Sequence, residues 1–143
     1  KTILSLIVFA SVLFAYRRFK ENHTQSGEYL AVNEFLESTN GYYAVLQSDC
    51  NFVIYRSKHF VKRNSLWSSN TVNKNCKNPI LVNQKDGNVV IYNNGSASAS
   101  NALWSTGTAS SGTKCYKLIM QDDGNLVLYN ESNKAVWNTK TAA

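Results

Sequence analysis

A nine-residue pattern occurs three times in this chain, and this internal repeat constrains the fold more than any other feature. The pattern is Q-x-D-x-N-x-V-x-Y, and its copies begin at Gln47, Gln84 and Gln121, 37 residues apart. A Trp follows the first Gln of each copy after 16 or 20 residues. Self-similarity at a fixed period predicts one supersecondary unit per repeat, with the units packed around a shared core.

The alternation inside each copy predicts an extended strand. The five fixed residues occupy every second position, so an extended chain places their side chains on one face. Between them, in the second half of each copy, are apolar residues: Phe52 and Ile54, Val89 and Ile91, Leu126 and Leu128. We therefore expect each copy to be an amphipathic strand with a polar face and a core face.

The same residues also fit a tight turn. The second and third copies contain the dipeptides Asp86-Gly87 and Asp123-Gly124. Asp-Gly strongly favours the turn of a type I′ hairpin. The first copy has Asp49-Cys50 at this place, and a positive φ is unfavourable for a Cys. We therefore expect the strand to run unbroken through each copy, with the Gly where the strand must be locally uncrowded.

The repeat length predicts the architecture. A repeat of 37 residues holds about four strands of common length, so three repeats predict about twelve strands in one domain. Three sheets around a pseudo-three-fold axis would close the sheet edges. We expect Trp67, Trp104 and Trp137 to fill the middle of this core rather than to stack on a sugar. A composition of 12% aromatic residues with one Pro agrees with a compact all-β domain.

The polar members of the pattern suit a sugar ligand. Two amides, a carboxylate and a phenol supply the donors and acceptors that vicinal hydroxyls require, and the Val suits a patch of pyranose C–H groups. No nucleophile–base pair is present, and the acids occur once per repeat rather than as the flanking pair that a glycosidase needs. The alternative is that the pattern is only the solvated face of a repeated strand.

The repeated motif resembles the mannose-binding signature of the monocot bulb lectins, the snowdrop-lectin-like family. The likeness covers about residues 26–141 and includes Ser26-Gly-Glu-Tyr-Leu30, which is similar to the family's opening strand. It implies a bulb-type lectin domain over residues 26–143, with the type II β-prism fold of three four-stranded antiparallel sheets. It also implies binding of D-mannose and of mannose-rich glycans or glycoproteins, without a metal ion or other cofactor.

Carried over by position, the resemblance assigns a role to each fixed residue in up to three sites. The axial 2-hydroxyl of mannose would be held by the Asp and Asn side chains: Asp49, Asp86, Asp123, Asn51, Asn88 and Asn125. The 3-hydroxyl would be held by Gln47, Gln84 and Gln121. The 4-hydroxyl would be reached by Tyr55, Tyr92 and Tyr129, and ring carbons would lie against Val53, Val90 and Val127.

Three cysteines, Cys50, Cys76 and Cys115, predict one disulfide and one leftover thiol. They fit neither a four-ligand zinc site nor a cysteine-dense miniprotein, and their number alone leaves the pairing open. The family has a Cys inside the first motif and no partner for Cys115, so the resemblance implies a Cys50–Cys76 bond. It also implies a homodimer formed by exchange of the C-terminal strand, near residues 136–141, or a homotetramer.

The N-terminal residues predict secretion. Residues 1–15 are an apolar run that opens with Lys1 and ends at the small Ala15, as in a cleaved signal peptide. The run is shorter than the roughly twenty residues of a membrane span, so no span is expected. Residues 16–25 would form a lead before the domain of an extracellular protein. Three sequons are glycosylation candidates in such a protein: Asn22, Asn94 and Asn130.

The net charge and the basic segment of the chain do not identify a partner. A net charge of +6 is too diffuse to require nucleic acid as a partner. The basic segment 56–64 lies beside the first motif. It is either a solvated loop or a surface that gives the site a preference for anionic glycans or lipid surfaces. His23 and His59 are isolated and are not expected to bind metal or to act in catalysis.

The function predicted from the sequence is that of a secreted lectin, not an enzyme, with a role in defence or agglutination. The alternative is an interaction or antimicrobial protein on the same fold, in which sugar binding is vestigial. The intact motifs favour the lectin.

Overall fold

The computed structural model describes residues 15–112 and 114–143, which form short strands and two 3₁₀ helices. The strands are β1 (Arg17–Arg18), β2 (His23–Gln25), β3 (Tyr29–Leu30), β4 (Glu34–Glu37), β5 (Tyr43–Leu46), β6 (Phe52–Tyr55), β7 (Ser65–Ser68), β8 (Ile80–Asn83), β9 (Val89–Tyr92), β10 (Ala102–Ser105), β11 (Lys117–Met120), β12 (Leu126–Tyr129) and β13 (Ala135–Asn138). The 3₁₀ helices are Lys62–Asn64 and Ala99–Asn101. Apart from Ala15, the predicted signal peptide lies outside the described residues.

The strands build three sheets, which confirms the predicted all-β prism. The first sheet has the order β1-β4-β5-β6-β7, the second β3-β8-β9-β10, and the third β2-β11-β12-β13. The first sheet has five strands rather than the expected four, because the two-residue β1 pairs in parallel with β4. No helix within the described ranges has the length and apolar character needed to cross a membrane.

Strands from the N-terminal part of the chain join every sheet, two in the first sheet and one in each of the others, which the repeat arithmetic did not predict. Three consecutive strands come from one repeat, and β4, β3 and β2 complete the first, second and third sheets. A repeat of 37 residues therefore supplies three strands and long connections instead of four strands. Strands β1 and β2 lie in the predicted lead of residues 16–25, so the lead contributes to the sheets rather than preceding them.

The repeated motif is a hairpin, which contradicts the prediction of an unbroken strand. Leu46 at the end of β5 lies opposite Phe52 at the start of β6, and the chain reverses between them. The backbone N–H of Gln47 donates to the carbonyl of Asn51 at 2.9 Å, which leaves a loop of three residues. The second and third copies close in the same way, with N–H to carbonyl distances of 2.9 and 3.0 Å.

The turn conformation explains why the Gly recurs. Gly87 and Gly124 have φ of 91° and 90°, and Cys50 has φ of 74°, so all three lie in the left-handed region. The alternative interpretation of these residues as a hairpin turn was therefore correct, although the loop is one residue longer than a type I′ hairpin loop. A left-handed Cys costs about 1–2 kcal/mol. The hydrogen bond that Asp49 accepts from the Asn51 N–H and the disulfide at Cys50 offset this cost in the first turn.

The reversal still places most of the motif on one face. Residues that are opposite each other in an antiparallel pair share a face, and Val53 lies opposite Val45 on β5. Gln47 and Asn51 lie opposite each other two residues further along each strand. The Gln, Asn, Val and Tyr therefore point to the same side, as predicted, but from two strands and with the Asp in the turn between them.

The core lies between the three sheets, and the predicted apolar positions fill it. The alternate residues of the motifs are at most 1% exposed: Phe52, Ile54, Val89, Ile91, Leu126 and Leu128. Where the three sheets meet, the rings of Trp67, Trp104 and Trp137 contact one another edge-to-face, with centroid separations of 5.6 to 5.7 Å. These Trp are partly buried and pack against the core, so they lie beside it as predicted without being enclosed in its middle.

One disulfide joins Cys50 and Cys76, with a Cα–Cα distance of 5.7 Å, and confirms the pairing implied by the resemblance. It closes a separation of 26 residues and stabilises the fold by about 3.5 kcal/mol in the chain-entropy model. Cys115 is an exposed free thiol. The bond ties the turn of the first motif to the connection between β7 and β8.

The C-terminal strand β13 completes the third sheet of its own chain, where Trp137 lies opposite Leu128 of β12. The resemblance had assigned this strand to exchange between two chains. Because Trp137 belongs to the central triad, any exchange of β13 would carry one of the three core rings into a second molecule.

Candidate carbohydrate-binding sites

The fixed side chains of each copy form a hydrogen-bonded row, and we number the sites by copy: residues 47–55, 84–92 and 121–129. In the first site, the Tyr55 hydroxyl donates to Gln47 Oε1, and Gln47 Nε2 donates to Asp49 Oδ1 at 3.1 Å. The equivalent amide-to-carboxylate distances in the second and third sites are both 3.2 Å. In the third site, the phenol-to-amide distance is 2.5 Å. The carboxylate and the phenol thus fix the orientation of each Gln amide.

The Asp of each row also stabilises its turn. Asp49 Oδ1 accepts the backbone N–H of Asn51 at 3.0 Å, and the equivalent distances in the other two sites are 2.9 Å. This bond is an Asx turn, which Asp forms readily. Asp49 Oδ2 has a longer contact of 3.3 Å with the Gln47 amide. Because a carboxylate has about four acceptor positions, each Asp keeps acceptor capacity for a ligand.

The Asn of each row is anchored through its oxygen. Asn51 Oδ1 accepts from the Ser69 hydroxyl and from the backbone N–H of Thr71, both at 3.2 Å. Asn88 and Asn125 are held by the corresponding hydroxyl and N–H groups of their own repeats. The amide nitrogen is therefore the end that remains for a ligand, although Asn125 Nδ2 has a long contact of 3.4 Å to Asn138.

The anchoring residues were not predicted from the sequence. They are Ser69, Thr71, Thr106, Thr108, Thr139 and Thr141. The second hydroxyl of each pair donates to the carbonyl of the left-handed turn residue, at 2.6 to 2.7 Å. A similar phrase that follows each Trp, such as W-S-S-N-T at 67–71, was the signal that could have identified them.

The rows differ in exposure. Val53, Val90 and Val127 are only 3 to 4% exposed, so each presents a small apolar spot rather than an open strip. Asp49 and Asp86 are half-buried, whereas Asp123 is exposed. The third site is therefore the most open. The hydrogen bonds, together with the strand register that places the Val, put the fifteen predicted residues in three separate rows, one per sheet.

Burial keeps the phenols of the first two rows protonated. It raises the pKa of Tyr55 above the ordinary value of 10.0, and the nearby Tyr16 and Asp49 raise it further. Burial also raises the pKa of Tyr92, with a smaller contribution from Asp86. At neutral pH these hydroxyls are neutral donors to their Gln partners, with lone pairs left to accept from a ligand.

We expect the free energy of unfolding to decrease above about pH 10. The folded pKa of Tyr55 and Tyr92 is raised, so their stabilising contribution is present below the unfolded pKa and is lost as pH rises through the folded pKa. Urea denaturation between pH 7 and pH 11 measures this change. A Tyr55→Phe, Tyr92→Phe protein is the control and should lose less stability over the same range. Equal losses in both proteins would contradict the assignment to these phenols.

Within residues 15–112 and 114–143, no group of three or more His, Cys, Asp or Glu side chains is arranged to hold a metal ion. His23 Nδ1 lies 2.9 Å from Asn22 Oδ1, and His59 lies in the exposed segment 56–64. The two histidines are therefore in different parts of the surface.

Solved structures similar to this chain are lectins. A monomeric monocot mannose-binding lectin from Gastrodia elata is 34% identical, with a TM-score of 0.72, and the match covers 86% of this chain and 100% of that one. The mannose-specific snowdrop (Galanthus nivalis) agglutinin, solved with methyl α-D-mannoside, is 31% identical with a TM-score of 0.63, over 86% of this chain and 99% of that one. Polygonatum cyrtonema lectin, solved with a monomannoside, is 32% identical with a TM-score of 0.63, over 85% and 97%.

No protein-family model and no curated protein matches the chain. The structural relatives nevertheless combine more than 30% identity with coverage of nearly their whole length. The shared β-prism and the repeated rows lead to the same assignment as these relatives. The chain belongs to the monocot mannose-binding lectin family.

Proposed function

We propose that this protein is a secreted lectin that binds mannose and mannose-rich glycans at three metal-independent sites. The observation that carries the proposal is the threefold recurrence of one row, in which the amide-to-carboxylate distance varies only between 3.1 and 3.2 Å. Each row leaves a carboxylate acceptor, an amide donor and a phenol on one face of a hairpin. Two relatives of the same fold were solved with mannosides, which supports the same ligand here.

The geometry suggests how one mannose is held. The axial 2-hydroxyl needs an acceptor and a donor close together, and the free capacity of Asp49 and the Nδ2 of Asn51 provide both across the turn. The second hydrogen of Gln47 Nε2 is available to the 3-hydroxyl, because the first is directed at Asp49. The Tyr55 hydroxyl donates to Gln47 and can accept from the 4-hydroxyl. Every partner is a side chain, so no ion is needed.

Such a site is shallow, and one monosaccharide is expected to bind weakly. Three sites on one chain raise the avidity for a dense glycan surface by about 10²–10⁴ when they engage together. Assembly into a homodimer or homotetramer would raise it further. This arrangement suits agglutination of glycan-coated cells and hence defence.

Several features support an extracellular location. The Cys50–Cys76 bond needs an oxidising compartment, and the predicted signal peptide of residues 1–15 would direct the chain there. Asn22 and Asn94 are exposed, so both sequons are accessible for glycosylation. Asn130 is half-buried, and its Oδ1 accepts two backbone N–H groups of its own turn at 3.0 Å.

We propose no enzymatic activity. Each row carboxylate holds its own turn and its own Gln, and the three carboxylates belong to three different sheets. Hydrolysis of a glycosidic bond needs two carboxyl groups on either side of that bond. The alternative, an interaction or antimicrobial protein with vestigial sugar binding, would show no mannose preference on a glycan array.

Calorimetry with methyl α-D-mannoside in the presence of EDTA tests this function. We expect a stoichiometry of about three per chain, unchanged by the chelator, because the side chains act on the hydroxyls directly. A single Asp86→Asn protein should bind one mannoside fewer and leave the other two sites unaffected. Loss of binding in EDTA with recovery in Ca²⁺ would contradict the ion-independent mechanism.

A further inference from the structure

The segments 56–64 and 93–101 connect equivalent strands in the first and second sheets and have equal length. The two segments have equivalent internal backbone hydrogen bonds. The N–H of Arg56 donates to the carbonyl of Asn64 at 3.0 Å in the first, and the N–H of Asn93 donates to the carbonyl of Asn101 at 2.8 Å in the second. Both segments end in a 3₁₀ helix. Their side chains differ, because residues 58–61 read K-H-F-V and residues 95–98 read G-S-A-S. In the third sheet only a short turn joins β12 to β13.

Phe60 adds an aromatic wall to the first site. Its ring stacks on Tyr55 of the row, with centroids 5.0 Å apart and an interplanar angle of 26°. The equivalent residue beside the second site is Ala97. Phe60 does not close the site, because Tyr55 is 6% exposed and Tyr92, which has no such neighbour, is 7% exposed.

The wall continues into a groove that the mannose row does not use. The groove has a volume of about 570 Å³, within the range of small-molecule sites, and its aromatic lining is Tyr16, Phe35, Tyr43 and Phe60. The Tyr16 ring meets Phe60 edge-on at 4.9 Å. Burial raises the pKa of Tyr16, and the Asp49 carboxylate of the first row raises it further.

The groove offers one cation to an anionic ligand, at Lys58. Lys58 and His59 line it, and residues 56–64 contain no acidic side chain. Glu37 also lines the groove, but its carboxylate accepts the Tyr43 hydroxyl at 3.1 Å and lies 3.8 Å from Arg18. Among the described residues, the Lys58 ammonium has no ion-pair partner. A negative group entering the groove would therefore meet an unpaired cation.

We propose that the first site is a two-part site, in which the row of residues 47–55 holds a mannose and the adjoining groove holds an anionic sugar unit linked to it. This inference rests on the proposed mannose binding and adds a ligand class that the other two sites do not accept. The aromatic rings pack against the C–H face of the second sugar. Lys58 and His59 form charge-assisted hydrogen bonds with its acidic group.

The test uses an Asp86→Asn, Asp123→Asn protein, in which only the first site is intact. Calorimetry compares methyl α-D-mannoside, neutral α-linked mannobiose and the same mannobiose carrying one phosphate on the second sugar. We expect the phosphorylated disaccharide to bind about tenfold more tightly than the neutral one, as one charge-assisted contact provides. Lys58→Gln with His59→Gln should remove this preference. Phe60→Ala should weaken both disaccharides at least threefold more than it weakens methyl α-D-mannoside.

Three results would overturn the proposal. The first is equal affinity for the two disaccharides in the protein with an intact groove. The second is a phosphate preference that persists when Asp49 is also replaced by Asn, since the anion would then bind without the mannose row. The third is no mannoside binding by the first site while the unmodified protein binds two mannosides, which leaves the proposed lectin function standing. Absence of mannoside binding by the unmodified protein would instead contradict the lectin function and, with it, this inference.

Discussion

Replacing Asp49, Asp86 and Asp123 together by Asn is expected to abolish detectable mannose binding and to leave the fold intact. Asn retains an oxygen for the backbone N–H of the turn, which Asp49 accepts at 3.0 Å. Its amino group, however, would face the Gln47 amide nitrogen, which now donates to the carboxylate at 3.1 and 3.3 Å. Each site loses its acceptor for the 2-hydroxyl, at about 1–3 kcal/mol per site. For a weak site, this loss puts binding beyond calorimetric detection.

Asp122→Asn is the matched control for this triple variant. Asp122 lies in the third turn beside Asp123, but its Oδ1 accepts the backbone N–H of Thr39 at 2.8 Å and takes no part in the row. We expect this variant to bind mannoside like the unmodified protein, and circular dichroism should show the same fold in both variants. Full mannoside binding by the triple variant would mean that the rows are structural and that the lectin assignment of this surface is mistaken.

Trp67→Ala is expected to lower the free energy of unfolding by about 3 kcal/mol, the lower end of the usual cost of removing a large aromatic side chain from a core, because the ring is partly buried. The Trp67 ring contacts both other members of the triad at 5.7 Å and also Phe52 at 6.3 Å. Its removal leaves a gap between the two remaining rings, where the three sheets meet. Urea denaturation followed by circular dichroism measures the loss.

Two further variants serve as controls for the Trp67→Ala measurement. Trp67→Phe keeps a ring at the centre and should lose clearly less stability than Trp67→Ala. Leu66→Ala changes the preceding residue, which is 36% exposed, and should cost below about 1 kcal/mol. A Trp67→Ala protein as stable as the Leu66→Ala protein would show that the triad contributes little to the stability of the core.

The sequence predicted which residues lie together in each row better than it predicted the backbone that carries them. Alternation correctly assigned Phe52 and Ile54 to the core and the Gln, Asn, Val and Tyr to the opposite face, because opposite residues of a hairpin and alternate residues of a strand share a face. The Asp lies in the turn instead. The hairpin itself was missed at Cys50. Its positive φ is stabilised by an Asx turn, a Thr71 hydroxyl bond and a disulfide, none of which local propensity describes.

The N-terminal strands and the groove could not be predicted from the sequence, for two other reasons. Strands β2 and β3 have three and two residues, too few to show a hydrophobic period. The groove depends on Phe60 meeting Tyr16 and Phe35, which are distant in the chain. The segment 56–64 was correctly noted as basic, but its charge gave no indication of the aromatic wall beside it.

The separate N-terminal strands set the order in which the chain can fold during synthesis. Strand β2 leaves the ribosome early, yet its partner β11 is made more than ninety residues later, since Thr24 lies opposite Leu118. Strand β3 must likewise wait for β8, where Tyr29 lies opposite Val82. Such distant pairing slows folding and delays closure of the second and third sheets until most of the chain is available. The first sheet, whose strands β4 to β7 are neighbours in sequence, is the one that can form while translation continues.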